Sequence, residues 1–250
     1  MTLSFELVGG KDNYIMILDN AIEQSVCDEA VEAFRRYYES LFTPGPTLGG
    51  IRPEVKSNMD TGISQDFLKT HNLDTVPIFS TLHSKAYLAV RLILSKYQET
   101  YRQLWAAPGL TDTGFRVQHS PQGSGWYREH CDGVPWEYYS SGGVTQRVLG
   151  VIIYLNDIEV GGGTRFTEQR QVVSAKAGRV SIFPTHWTHP HSGLVPISTD
   201  KFIMTTFITC QQSPWDAPND TTIDPEKSPY VRLKETPEDE DEDEIIEKDD

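Results

Sequence analysis

Val172-Val-Ser-Ala-Lys-Ala-Gly-Arg-Val-Ser-Ile-Phe-Pro184 reads as two short strands around a turn at Gly178, the second closed by Pro184. Further on, Lys201-Phe-Ile-Met-Thr-Thr-Phe-Ile208 is a β-branched and aromatic run of the kind that fills a buried strand. From Phe115 onward short strands and turns dominate, as a double-stranded β-helix (jelly roll) requires. Upstream the apolar spacing turns helical. Ser25-Val-Cys-Asp28 is expected to cap a helix carrying Cys27, Ala30, Val31, Phe34, Tyr38 and Leu41 on one face. A second stripe, Phe79, Leu82, Ala86, Val90, Ile93, Tyr97 and Leu104, lies between Pro77 and Pro108. Both stripes read as core, and residues 43–53 hold too many Pro and Gly for regular structure. The expected class is mainly β with flanking helices (α+β), a jelly roll with N-terminal helices packed on it. One domain is expected over residues 1–212, with helical support over 1–114 and the jelly-roll core over 115–212.

Within that frame, His130 and Asp132 are two residues apart, so a strand presents imidazole and carboxylate on one face. A distant third ligand, His191, completes a 2-His-1-carboxylate face with open positions opposite, the arrangement of non-haem Fe(II) oxygenases. The pair alone is a weak signal, since a solvated loop end carries such residues too. Lys201 strengthens it. Lysine is rarely buried unless paired, and the distal carboxylate of 2-oxoglutarate is a suitable partner for a compact ammonium. Otherwise Lys201 marks a strand end in solvent. His189 competes with His191 as ligand, but only His191 stands ten residues before Lys201.

Tyr127-Arg-Glu-His130-Cys-Asp132, Gln146-Arg147, Tyr154-Leu-Asn-Asp157, Gly161-Gly-Gly-Thr-Arg-Phe166 and the His191-to-Lys201 interval follow one another in an order that resembles the prolyl 4-hydroxylase branch of the 2-oxoglutarate- and Fe(II)-dependent dioxygenases. The likeness covers residues 115–210 well and the N-terminal third loosely. It implies Fe(II) held by His130, Asp132 and His191, with O2 and 2-oxoglutarate as co-substrates and ascorbate as a supporting reductant. It further implies Lys201 and Tyr154 on the far carboxylate of 2-oxoglutarate, and Tyr127 against the co-substrate or walling the site. Arg147 is expected to touch substrate or to form a surface salt bridge. The implied reaction is hydroxylation of a prolyl residue in a peptide or protein, 2-oxoglutarate leaving as succinate and CO2. Three departures bear on the substrate more than on the chemistry. Gly163 stands where the family usually has Glu, Phe207 where it has Trp, and Val195-Pro196 inverts a Pro-Val.

The loop from Gly133 to Thr145 carries Trp136, Tyr138 and Tyr139, enough aromatic area to grip an extended peptide, and the loop around Gly49 to Asp60 is a second candidate lid. The net charge of -14 is concentrated: residues 235–250 hold eleven acidic side chains and one lysine, a self-repelling tail expected to be disordered. Residues 213–234 read as a Pro-rich extended arm. An acidic balance argues against nucleic acid as partner. No uninterrupted apolar run is long enough for a bilayer, and the N-terminus lacks a signal-peptide pattern. Cys27, Cys131 and Cys210 form no disulfide or zinc spacing, so a reducing cytoplasm suits them, with a monomer favoured. Two rivals stand: an oxygenase acting on a small molecule or another residue, and a non-enzymatic jelly-roll binder of metal or sugar. A binder has no use for a buried lysine after the distal histidine.

Overall fold

Phe202, Met204 and Ile208 alternate with Lys201, Ile203 and Thr205 along the last strand, and that alternation sorts the molecule into layers. The computed structural model describes residues 3–47, 49–106, 110–133 and 146–210. The expected aromatic lid with Trp136, Tyr138 and Tyr139, and the expected arm and acidic tail, lie outside the described residues.

In chain order the elements are β1 (Ser4–Leu7), β2 (Met16–Asp19), α1 (Gln24–Arg36), α2 (Tyr38–Leu41), β3 (Thr43–Pro44), β4 (Pro46–Thr47), β5 (Gly50–Ile51), β6 (Met59–Gly62), α3 (Gln65–Thr70) and α4 (Pro77–Thr100). Then follow β7 (Leu110–Asp112), β8 (Arg116–Ser120), β9 (Tyr127–His130), β10 (Gln146–Tyr154), β11 (Thr164–Phe166), β12 (Gln171–Val173), β13 (Val180–Pro184), β14 (His191–Gly193) and β15 (Lys201–Cys210). Among the described residues, the large sheet runs β1-β2-β13-β10-β15-β8-β6-β3, with β7 also on β15, and the small sheet runs β12-β11-β14-β9. Every pairing is antiparallel, as in a double-stranded β-helix.

One face of the large sheet, with Leu149, Val151, Ile153, Val180, Ile182, Phe202 and Met204, packs against Phe34 of α1 and Phe79 and Leu82 of α4. Each such side chain stabilises the fold by about 1.5–3 kcal/mol relative to exposure. The opposite face, with Ile152, Tyr154, Phe183 and Ile203, packs against Phe166 and Val173 of the small sheet. The helix layer thus supports the sheet from behind, and the site opens between the sheets.

Several local expectations need correction. Ser25 lies inside α1, whose N-cap Glu23 makes no side-chain cap hydrogen bond, and Tyr38 and Leu41 belong to the separate α2. Pro77 takes the first turn of α4, where its missing N–H costs nothing. That helix stops at Thr100, so Leu104 packs from a following 3-10 turn, Arg102–Ala106. The first 114 residues are more than helical support: β2 joins β13 at one edge of the large sheet and β6 joins β8 towards the other. The breaker-rich segment forms two-residue strands, β4 and β5 pairing only with each other. Among the described residues, no helix is long and apolar enough to cross a membrane.

Candidate active site

β9 and β14 are neighbours in the small sheet, and their register sets His191 opposite His130. Asp132, two residues past His130, turns its carboxylate to both rings: Oδ1 is 3.3 Å from His130 Nε2, and Oδ2 is 3.3 Å from His191 Nε2. One ligand atom from each of the three lies within 4.8 Å of the others. Both rings are oriented from behind. His130 Nδ1–H donates to the Arg128 carbonyl at 2.7 Å and His191 Nδ1–H to the His189 carbonyl at 3.1 Å. A carbonyl only accepts, so Nδ1 carries a proton in each ring and Nε2 is the nitrogen turned towards the centre, where a metal would bind it. Burial raises the Asp132 carboxyl, but the two histidines outweigh it and hold it below the usual carboxylate range.

The surroundings keep this group in place. Tyr127 stacks on His130 at 3.7 Å between centroids, and the Phe183 ring meets His191 edge-on at 4.8 Å. Gly150 leaves the room they need: a Cβ there would stand 2.9 Å from Phe183 and 3.2 Å from Asp132 Oδ2. His189 is engaged elsewhere, its Nε2–H donating to the Asn13 carbonyl at 2.9 Å and its Nδ1 paired with the Thr188 hydroxyl. The donor set, two imidazoles and one carboxylate with open space beside them, fits Fe(II).

That space is a cavity of about 660 Å³ shared with Lys201, the first residue of β15. Lys201 is 4% exposed. Its Nζ donates to the Leu194 carbonyl at 3.4 Å, and among the described residues no carboxylate pairs with it. Burial pushes the amine down to about 8.

Tyr154 does not line this cavity. It is wholly buried, with its hydroxyl 2.7 Å from Thr164 Oγ1, and Thr164 is the residue at the wall. Arg147 does line it, but forms no described salt bridge: its guanidinium lies 3.8 Å over the Phe207 ring and donates to the Asp132 backbone oxygen at 3.1 Å. Phe207, one of the departures from the family pattern, therefore serves as the arginine's platform. A feature without a sequence signal is the buried pair Lys56–Asp60, 2.7 Å apart, whose lysine also lies 5.3 Å above the Tyr127 ring. Arg116 shares the same carboxylate oxygen at 3.3 Å.

Residues 115–209 match the family model described as 2OG-Fe(II) oxygenase superfamily. Through that domain the chain is a 2-oxoglutarate- and Fe(II)-dependent dioxygenase, using Fe(II), 2-oxoglutarate and O2. In fold it is prolyl 4-hydroxylase-like. A viral collagen prolyl hydroxylase from Paramecium Bursaria Chlorella virus-1, solved with 2-oxoglutarate, superposes with a TM-score of 0.56 at 17% identity, over 79% of this chain and 96% of that one. A Trichoplax adhaerens prolyl hydroxylase in complex with a hypoxia inducible factor peptide fragment gives 0.54 at 18%, over 79% and 84%. A Pseudomonas putida prolyl-4-hydroxylase gives 0.54 at 17%, over 79% and 93%. No curated relative matches the sequence.

Proposed function

We propose that this chain hydroxylates prolyl residues in a peptide or protein. The observation that carries the reading is the pairing, in one cavity, of the inward-facing His130, Asp132 and His191 with a buried ammonium that has no carboxylate of its own among the described residues. His130, Asp132 and His191 hold the iron. Lys201 binds the distal carboxylate of 2-oxoglutarate by a charge-assisted hydrogen bond. Tyr154 backs that wall through its hydroxyl on Thr164, and Tyr127 keeps the His130 ring flat against the cavity side. Fe(II) with 2-oxoglutarate and O2 supplies the oxidising power: one oxygen atom enters a substrate C–H bond, the other enters succinate, and CO2 leaves. The apolar residues Phe183, Ile152 and Ile203 exclude water from the reacting region. The neighbours of the same fold include one bound to a peptide, which supports a peptide as substrate.

The test is purified protein with Fe(II), 2-oxoglutarate and ascorbate, followed for succinate and for a 16-Da mass gain (one oxygen atom, roughly) across proline-containing peptides. His130→Ala and Asp132→Ala should each abolish 2-oxoglutarate turnover while the circular dichroism spectrum stays that of the parent. Turnover at the parental rate in either variant removes that residue from the metal. Turnover of 2-oxoglutarate with every proline peptide left unmodified removes proline as the target.

A further inference from the structure

The cavity has the opposite electrical character to the chain. Four basic side chains line its described walls, Lys56, Arg116, Arg147 and Lys201, against one acidic side chain, Asp132, although the whole chain carries -14. Asp60, buried behind the wall, adds one negative charge, but it is shared: Lys56 Nζ is 2.7 Å from Oδ2 and Arg116 Nη1 is 3.3 Å from the same oxygen. One carboxylate between two cations leaves a positive charge uncompensated. The charges of Fe(II) and of the 2-oxoglutarate dianion cancel each other, and Asp132 offsets Lys201. What remains is the Lys56–Asp60–Arg116 group and Arg147, carrying two net positive charges.

The arrangement of these residues suits recognition. Lys56 is 5% exposed, so its field is little screened by water. Arg116 has a side chain 53% exposed and stands opposite Thr205, two steps along β15 from Ile203, where an incoming chain can meet it. Arg147 is held over Phe207 with its reach defined by the stacked ring.

We infer that the wall formed by Lys56, Arg116 and Arg147 selects a peptide bearing an aspartate or glutamate within one or two residues of the hydroxylated position. The cavity is small enough, at about 660 Å³, that a carboxylate reaching this wall belongs to a near neighbour of the reacting residue. The inference rests on the peptidyl-proline reading and adds the sequence context that the proline sits in.

Three peptides that differ only at the residues flanking proline, with Asp, Asn or Lys there, decide it. Hydroxylation is measured by mass spectrometry, and binding to the Mn(II)- and 2-oxoglutarate-loaded protein by calorimetry, for the parent, Arg116→Gln and Arg116→Glu. The Asp peptide should show a KM about tenfold below that of the Asn peptide, with the Lys peptide weakest. The gap should close as salt rises, narrow in Arg116→Gln and vanish or invert in Arg116→Glu. Equal use of the three by the parent, or a preference that survives Arg116→Glu, overturns the inference and leaves prolyl hydroxylation standing. If no peptide is hydroxylated, calorimetry separates the two ideas. Tighter binding of the Asp peptide that is lost in Arg116→Glu sustains the acidic preference and sinks proline as target; no difference in binding sinks both.

Discussion

Lys201 and Lys56 line one cavity and are almost equally buried, 4% and 5% exposed, yet they are opposites chemically. Lys56 has Asp60 at 2.7 Å and the face of Tyr127 beside it. Lys201 has a backbone carbonyl at 3.4 Å, and burial alone lowers its amine to about 8. Burial of a charge is tolerable when a partner is built in, and it is informative when the partner must come from outside. The wall with the internal partner belongs to the fold and to the field around the substrate. The wall without one is the proposed socket for 2-oxoglutarate.

The largest effects should separate these roles. Lys201→Ala should weaken 2-oxoglutarate by roughly 30-fold or more, about 2–5 kcal/mol, while leaving Mn(II) affinity near parental and the folded state no less stable. Titration of 2-oxoglutarate into the Mn(II)-loaded variant checks it, and an unchanged affinity would erase the distinction between the lysines. Lys56→Met should do the reverse. It strands Asp60 and lowers stability by about 3 kcal/mol, the low end for a broken buried pair because Arg116 still reaches that carboxylate. Lys56→Met/Asp60→Asn should regain most of this loss in urea melts; a double variant as unstable as the single one would mean that packing, not charge, is what the pair provides.

Gly150→Ala probes the packing around Asp132, where a methyl group would press on Phe183 and approach Asp132 Oδ2. Mn(II) affinity should fall by about tenfold, as when a ligand's supporting contacts are disturbed. Parental affinity there would show that the carboxylate shifts freely. The smallest effect is in pH. Lys201 binds a carboxylate only when protonated, so with its amine at about 8 the affinity for 2-oxoglutarate is full below that value and declines as pH rises through it. Between pH 7 and pH 8.5 the loss should be roughly fourfold, and it should flatten in Lys201→Arg, whose guanidinium stays charged.

The strand positions of His130, Asp132 and Lys201 around one cavity were legible in the sequence and the paired wall was not, for reasons of geometry. His130 and Asp132 share a strand face, and Lys201 opens an apolar run, so period and residue type place them without knowledge of distant partners. Asp60 sits opposite Gln118 only because β6 pairs with β8 across more than fifty residues of chain, a register that no local pattern encodes. Lys56 precedes it in a stretch whose Pro and Gly read as loop. Tyr154 shows the limit from the other side. It packs with the cluster between the sheets, and no local pattern says which group its hydroxyl meets there; Thr164 from the other sheet takes that bond. The cap expected at Ser25 falls inside α1 because the helix already begins at Gln24, with the Cys27 N–H bonded to the Glu23 carbonyl at 3.1 Å, and local sequence fixes a helix end only to within a residue or two.

β15 is paired on both sides, with β10 along one edge and β8 along the other, and presents Lys201 to one layer and Phe202, Met204 and Ile208 to the next. Such a strand can drift in composition but not in length. A single residue inserted or deleted inside it reverses the facing of every side chain beyond the lesion, putting polar groups into the helix layer and aromatic bulk into the cavity at once. Substitutions here are graded in effect; frame changes are all or none.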